Sequence, residues 1–227
     1  MLLYPEETCV MCDLPWKNNR VCCKDSRELL YEPRVIRSGG IEIRMDLDGM
    51  IHIGDQHIAT GLAPLEETMA LDTLHRILYF AAENGLAAYS LEEKRTVFMY
   101  EGCGSVGAPL LFEWLQPDGT LVTAVGFCDG AQRYRVLERV SGALLWCTDI
   151  LGQIQGGAAS FDGCIYMALS GCPHQVLCLD ARNGDAIWWN RGEDRAIGGV
   201  VCEGCYQVLT ESGRWHRYAL WDGEKLK

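Results

Sequence analysis

No stretch of 18 apolar residues occurs in the 227-residue sequence, so no membrane-spanning helix is expected. The opening residues, Met1-Leu2-Leu3-Tyr4-Pro5-Glu6-Glu7, lack a basic segment and a long apolar run, so no secretory signal is read there. On that reading the chain is expected to be cytoplasmic, where thiols stay reduced. Bases are scarce as well: 20 Lys and Arg stand against 31 Asp and Glu, a formal charge of −11. The shortage is uneven, because residues 1–44 hold seven bases and seven acids and the whole excess lies beyond them. An acidic body repels phosphate backbones, which argues against nucleic acid as its partner. Catalytic signatures are missing too: there is no G-x-S-x-G, no H-E-x-x-H and no phosphate-binding loop.

What is present is alternation. Ile41-Glu42-Ile43-Arg44-Met45-Asp46-Leu47 has the period of a strand, and Asp48-Gly49 turns it into Met50-Ile51-His52-Ile53. The phrase recurs with Asp118-Gly119, Asp162-Gly163 and Glu203-Gly204, each before an apolar strand, and with His75-Arg76 in the same place. The second turn residues fall at 49, 76, 119, 163 and 204, and the later spacings of 43, 44 and 41 match a four-stranded propeller blade. A second phrase repeats at an offset of 42: Leu137-Glu138-Arg139-Val140-Ser141-Gly142-Ala143-Leu144-Leu145-Trp146 and Leu179-Asp180-Ala181-Arg182-Asn183-Gly184-Asp185-Ala186-Ile187-Trp188. Each unit then has a third strand, a polar turn and a fourth strand whose aromatic fills the space between stacked blades. Trp146 and Trp188 are expected there, while Trp114, Trp189, Trp215 and Trp221 are read as surface contacts or as further core.

The expected fold is therefore mainly β: a β-propeller-like array of about five four-stranded repeats over residues 34–227, behind a small Cys-rich, zinc-ribbon-like segment, 1–33. The first spacing, 27, is short of a blade, so the first unit is expected to be truncated or completed by another segment. Arg34 to Ile43 are the candidate to finish the incomplete last unit, and ring closure is left open.

The phrase at 179–188, with Asp-Gly-Cys-Ile-Tyr-Met-Ala upstream, resembles the repeat of pyrroloquinoline-quinone-type β-propellers. The resemblance implies the propeller fold. It does not imply the cofactor, because the quinone enzymes of that family need roughly eight blades around it and about five are countable here. No quinone is expected.

Twelve cysteines in a reducing compartment are not read as six disulfides. In the head, Cys9-x-x-Cys12 is followed by the adjacent Cys22-Cys23. A Cys-x-x-Cys knuckle aims backbone N–H groups at the sulfurs, and a second pair completes tetrahedral zinc. The expected ligands are Cys9, Cys12 and Cys22, with Cys23 or Asp25 as the fourth. Leu3-Tyr4-Pro5-Glu6-Glu7-x-Cys9-x-x-Cys12, then Val21-Cys22, resembles the zinc-ribbon opening of ComF-type proteins, although the phosphoribosyl-binding loop of that family is not found. A second Cys-x-x-Cys, Cys202-Glu203-Gly204-Cys205, brackets a blade turn. It reads as a half-site, a disulfide or chance placement, and one further arrangement joins Cys9, Cys12, Cys202 and Cys205 in one Cys₄ site. Cys128, Cys147, Cys164 and Cys178 are assigned to packing. His52 and His57, five apart on an alternating strand, are expected on opposite faces.

The functional expectation is a non-enzymatic binding or scaffold protein using a propeller loop surface, with a structural zinc in the head and a protein partner, oligomeric if the ring is open. The alternative is a small quinone- or metal-dependent oxidoreductase using the central funnel.

Overall fold

In the computed structural model, residues 35–38, 41–46, 48–62, 64–82, 85–101, 105–154, 158–171 and 173–227 are described. They form five antiparallel sheets with strands in sequence order, four of four strands and one of five, with no helix among the described residues. Blade one holds β1 (Val35–Ser38), β2 (Ile41–Met45), β3 (Met50–Ile53) and β4 (Gln56–Ala59). Blade two holds β5 (Pro64–Asp72), β6 (Ile77–Ala82), β7 (Gly85–Ser90) and β8 (Arg95–Glu101). Blade three holds β9 (Ser105–Leu115), β10 (Leu121–Asp129), β11 (Arg133–Glu138) and β12 (Leu144–Asp149). In blade four, β13 (Gln153–Ile154) and β14 (Ala159–Phe161) share the innermost place beside β15 (Cys164–Ser170), then β16 (Gln175–Asp180) and β17 (Ala186–Arg191) follow. Blade five holds β18 (Ala196–Cys202), β19 (Cys205–Thr210), β20 (Trp215–Ala219) and β21 (Lys225–Leu226).

The expected mainly-β array of five repeats is what the structure has, but the phase of the first unit differs. Asp48-Gly49 joins β2 to β3, whereas its supposed equivalents join the first strand of a blade to the second. The short first spacing is thus a phase error: a period-two pattern looks the same on every strand, so it cannot say which hairpin it belongs to. Arg34 to Ile43 do not finish the last blade either. β1 pairs with β2 in blade one (Ile36 opposite Ile43), and blade five carries its own fourth strand, β21, paired to β20.

Packing follows chain order. Four apolar clusters each join two consecutive blades: Ile43, Ile51 and Phe80 between one and two; Tyr79, Phe127 and Leu137 between two and three; Trp146, Ile165 and Met167 between three and four; Tyr166, Trp188 and Tyr206 between four and five. No cluster of described residues joins the fifth blade to the first. β6, β7 and β19 are buried along their whole length, as central strands covered on both faces must be.

Candidate functional site

One aromatic on a fourth strand locks each of the later blades to its successor. Trp146 on β12 donates its indole N–H to the carbonyl of Ala181 at 2.8 Å, and Trp188 on β17 donates to that of Leu220 at 2.9 Å. Each ring lies on the next blade's turn glycine. A Cβ on Gly184 would stand 2.5 Å from the Trp146 ring, and one on Gly223 would stand 2.4 Å from that of Trp188. Both tryptophans are buried, as expected, and their chemistry is used up in docking.

Between blades two and three the contact is also ionic. Arg139, almost fully buried, places Nε 3.2 Å from Asp72 Oδ2 and donates from Nη2 to Glu113 at 2.8 Å, while Tyr79 donates to the Arg139 carbonyl at 2.6 Å. Asp72 also accepts from the backbone N–H groups of Leu74 and His75 and meets His75 Nδ1 at 2.7 Å. Burial pushes the Asp72 carboxyl up, but the His75 bonds and the Arg139 charge outweigh it and hold the group below its ordinary value. A second arginine spans the same pair of blades: Arg135 donates to Asp129 at 2.6 Å and to the Tyr100 hydroxyl at 3.0 Å.

Two hairpins gather metal-ligating side chains. Cys202 and Cys205 lie directly opposite each other across a two-residue turn whose central residues, Glu203 and Gly204, both have left-handed backbone (φ 50° and 70°). Cys205 is buried, its thiol donates to the Cys202 carbonyl at 3.3 Å, and Arg217 Nε donates to its sulfur at 3.3 Å. His52 and His57 are also directly opposite, on β3 and β4, with their Nδ1 atoms 2.7 Å apart and His52 Nε2 2.7 Å from Asp46. This corrects the expectation of opposite faces: the chain reverses at Gly54-Asp55, and a hairpin puts cross-strand partners on one face whatever their separation in sequence. Among the described residues no group of three or more His, Cys, Asp or Glu is placed to hold a metal. Cys9, Cys12, Cys22, Cys23 and Asp25 lie outside the described residues.

The assignment of four cysteines to packing needs correction at one of them. Cys128 and Cys178 are buried, and burial followed by the nearby Cys164 pushes the Cys178 thiol far up, which leaves it inert. Cys164 is half-buried, but Cys147 is exposed because an outer strand has one face in water. Among the tryptophans, Trp114 is core and Trp215 half-buried, while Trp189 and Trp221 are 66% and 78% exposed. Ile187 on the same strand as Trp189, and Leu144 and Leu145 on β12, are exposed as well. One motif escaped the sequence reading: Gly102-Cys103-Gly104-Ser105-Val106-Gly107 spells G-x-G-x-x-G. Its last three residues lie at the start of β9, so a strand and not a helix follows the motif, and it is not a dinucleotide site.

Compared by sequence, the chain matches no family profile and no curated protein. Compared by fold, it is similar to several solved propellers. BamB from Moraxella catarrhalis superposes with a TM-score of 0.66 at 13% identity, over 85% of this chain and 62% of that one. BBS1N, solved in complex with ARL6DN, gives 0.63 at 16% identity over 87% and 65%. Quinohemoprotein alcohol dehydrogenase from Comamonas testosteroni gives 0.60 at 11% over 74% and 41%. The chain thus spans less than two thirds of the length of each of these neighbours. At such identities the likeness is one of fold: four-stranded blades of the kind in BamB and in the quinoprotein.

Proposed function

We propose that the chain is a non-enzymatic, cytoplasmic binding protein whose blade array presents its outer rim to a protein partner. The observation that carries this reading is the division of labour among the aromatics. Trp146 and Trp188 are committed to holding blades together, whereas Trp189 and Trp221 stand in water on blades four and five, beside Ile187 on the same outer strand. Large exposed aromatics are costly to leave in solvent and are enriched where partners bind. BBS1N, one of the fold neighbours, was solved in a complex, which supports the same reading. The test is chemical cross-linking in cells followed by quantitation of captured proteins. Trp189→Ala and Trp221→Ala are expected to lose one defined partner while thermal stability is unchanged; equal capture by all variants would sink the reading.

The head belongs to the same proposal. Cys9, Cys12 and Cys22, with Cys23 or Asp25, bind one structural zinc there. Elemental analysis of anaerobically purified protein is expected to find about one zinc per chain, reduced by Cys9→Ser and Cys12→Ser. Loss of zinc on Cys202→Ser instead would move the site to the blade-five hairpin. Titration with pyrroloquinoline quinone is expected to leave its visible spectrum unchanged.

A further inference from the structure

The outer hairpin of blade one carries two imidazoles side by side. His52 on β3 and His57 on β4 are cross-strand partners, one pair in from the turn at Gly54-Asp55. The next pair, Ile51 and Ile58, is buried in the core shared with blade two, so the backbone beneath both rings is anchored. His57 is exposed and His52 half-buried, and the rings meet edge to face with centroids 4.8 Å apart.

The hydrogen bonds set the tautomers. Asp46 Oδ2 lies 2.7 Å from His52 Nε2, and a carboxylate accepts, so the proton of a neutral His52 sits on Nε2. Its Nδ1 then carries a lone pair, which accepts from His57 Nδ1 at 2.7 Å. A metal-bound imidazole has the same arrangement, with the ligating nitrogen bare and the other N–H given to a carboxylate. His57 joins as a second ligand by exchanging its proton with water from Nδ1 to Nε2, and no net proton is released. The separation also selects the ion. With metal–nitrogen bonds of about 2.0–2.1 Å, two ligands at a right angle stand about 2.9 Å apart, and two at the tetrahedral angle about 3.3 Å. The Nδ1 atoms, 2.7 Å apart, are close to the first. Square-planar and octahedral ions have right-angled neighbours, whereas protein-bound zinc is almost always tetrahedral.

We propose that His52 and His57 chelate a divalent ion of right-angled geometry, Ni²⁺ or Cu²⁺, through their two Nδ1 atoms. Asp46 orients His52 from the far side of its ring and makes no bond to the metal, and water fills the remaining positions. A site with two protein ligands agrees with the lack of any three-residue metal group among the described residues. The cations nearby are already matched by carboxylates: Arg44, opposite His52 on β2, lies 3.7 Å from Asp46, and Arg37 pairs with Glu42 at 2.6 Å.

The test adds Ni²⁺ alone to the full chain and reads diethylpyrocarbonate labelling of each histidine by mass spectrometry. Because the readout is per residue, metal taken up by cysteines elsewhere in the chain does not enter it. Without nickel, His57 has a bare Nε2 and is labelled. Chelated, it has nickel on Nδ1 and a proton on Nε2, and labelling is expected to slow about tenfold once nickel is about tenfold above half-saturation. His75, 40% exposed with its Nδ1 on Asp72, is the control and is expected to keep its rate. His52→Gln is expected to abolish the protection of His57, and Asp46→Asn to raise the nickel concentration required about tenfold or more. Zn²⁺ at equal concentration is expected to protect His57 less, a contrast that needs no variant. The proposal is overturned if His57 keeps its rate in nickel, stays protected in His52→Gln, needs no more nickel in Asp46→Asn, or is protected as well by zinc.

Discussion

Tyr206 and Tyr134 carry the two buried hydroxyls of this molecule that have no hydrogen-bond partner among the described residues, each pressed against a glycine of the adjacent strand. Burial pushes both phenols far up, so they stay neutral. The rings earn their place by volume, since a Cβ on Gly199 or Gly126 would overlap the hydroxyl oxygen. An orphaned buried hydroxyl costs on the order of 1–3 kcal/mol, so Tyr206→Phe and Tyr134→Phe should be neutral or stabilising by about 1 kcal/mol in urea unfolding. Tyr79→Phe should do the opposite, losing about 1 kcal/mol, because that hydroxyl donates to the Arg139 carbonyl. If all three substitutions destabilise alike, the assignment of partners is wrong. At Gly184, φ is +79° and the Trp146 ring fills the place of a side chain. Gly184→Ala should therefore cost about 2 kcal/mol or more, as backbone strain and displaced packing add.

At the scale of the element, this glycine shows what was legible and what was not. The W and G of the phrase repeated at an offset of 42 were readable as a repeat, and the fourth-strand tryptophan was readable as inter-blade packing. That the ring docks on the glycine of the next copy was not, because a repeat shows its letters in one unit while the contact joins two. The same limit hid the His52–His57 pair, which depends on where a hairpin turns, and the phase of blade one. The ionic clasp between blades two and three was hidden for another reason: Asp72 and Glu113 come from two strands of different blades and Arg139 from the turn after β11, positions that other blades fill differently. Its consequence is a pH dependence. The Asp72 carboxyl is held below its ordinary value in the folded chain. The folded state therefore binds that proton less readily than the unfolded one, and the associated stability is fully present above that value and lost as pH falls through the lower folded one. Urea midpoints measured from pH 7 to pH 2 should fall on the acidic limb, and Asp72→Asn should flatten that limb. The same variant should lose about 2 kcal/mol at pH 7, since the buried Arg139 then keeps only Glu113 as a charge partner. An unchanged acidic limb would remove Asp72 from the account.

For the whole molecule, the order of the four clusters decides how it comes apart. Each blade touches its predecessor and its successor through a separate core, and no cluster of described residues ties blade five back to blade one. In such an array stability is approximately a sum over units and nearest-neighbour interfaces, so a lesion acts locally and spreads outward from the weakened joint. A closed ring behaves otherwise, since every blade is held from both sides. Trp188→Ala removes the indole bond to Leu220 and the packing on Gly223, both at the joint between blades four and five. Hydrogen exchange followed by mass spectrometry should then show the amides of β19 and β20 exchanging at least about tenfold faster, a loosening of about 1.4 kcal/mol, while those of β6 and β7 keep their wild-type rates. Phe98, which lies on Gly142 of blade three, supplies the reciprocal case: Phe98→Ala should free blades one and two and leave β19 protected. Uniform acceleration across all five blades in both variants would mean that the array unfolds as one cooperative body, and that contacts beyond those between consecutive blades hold it together.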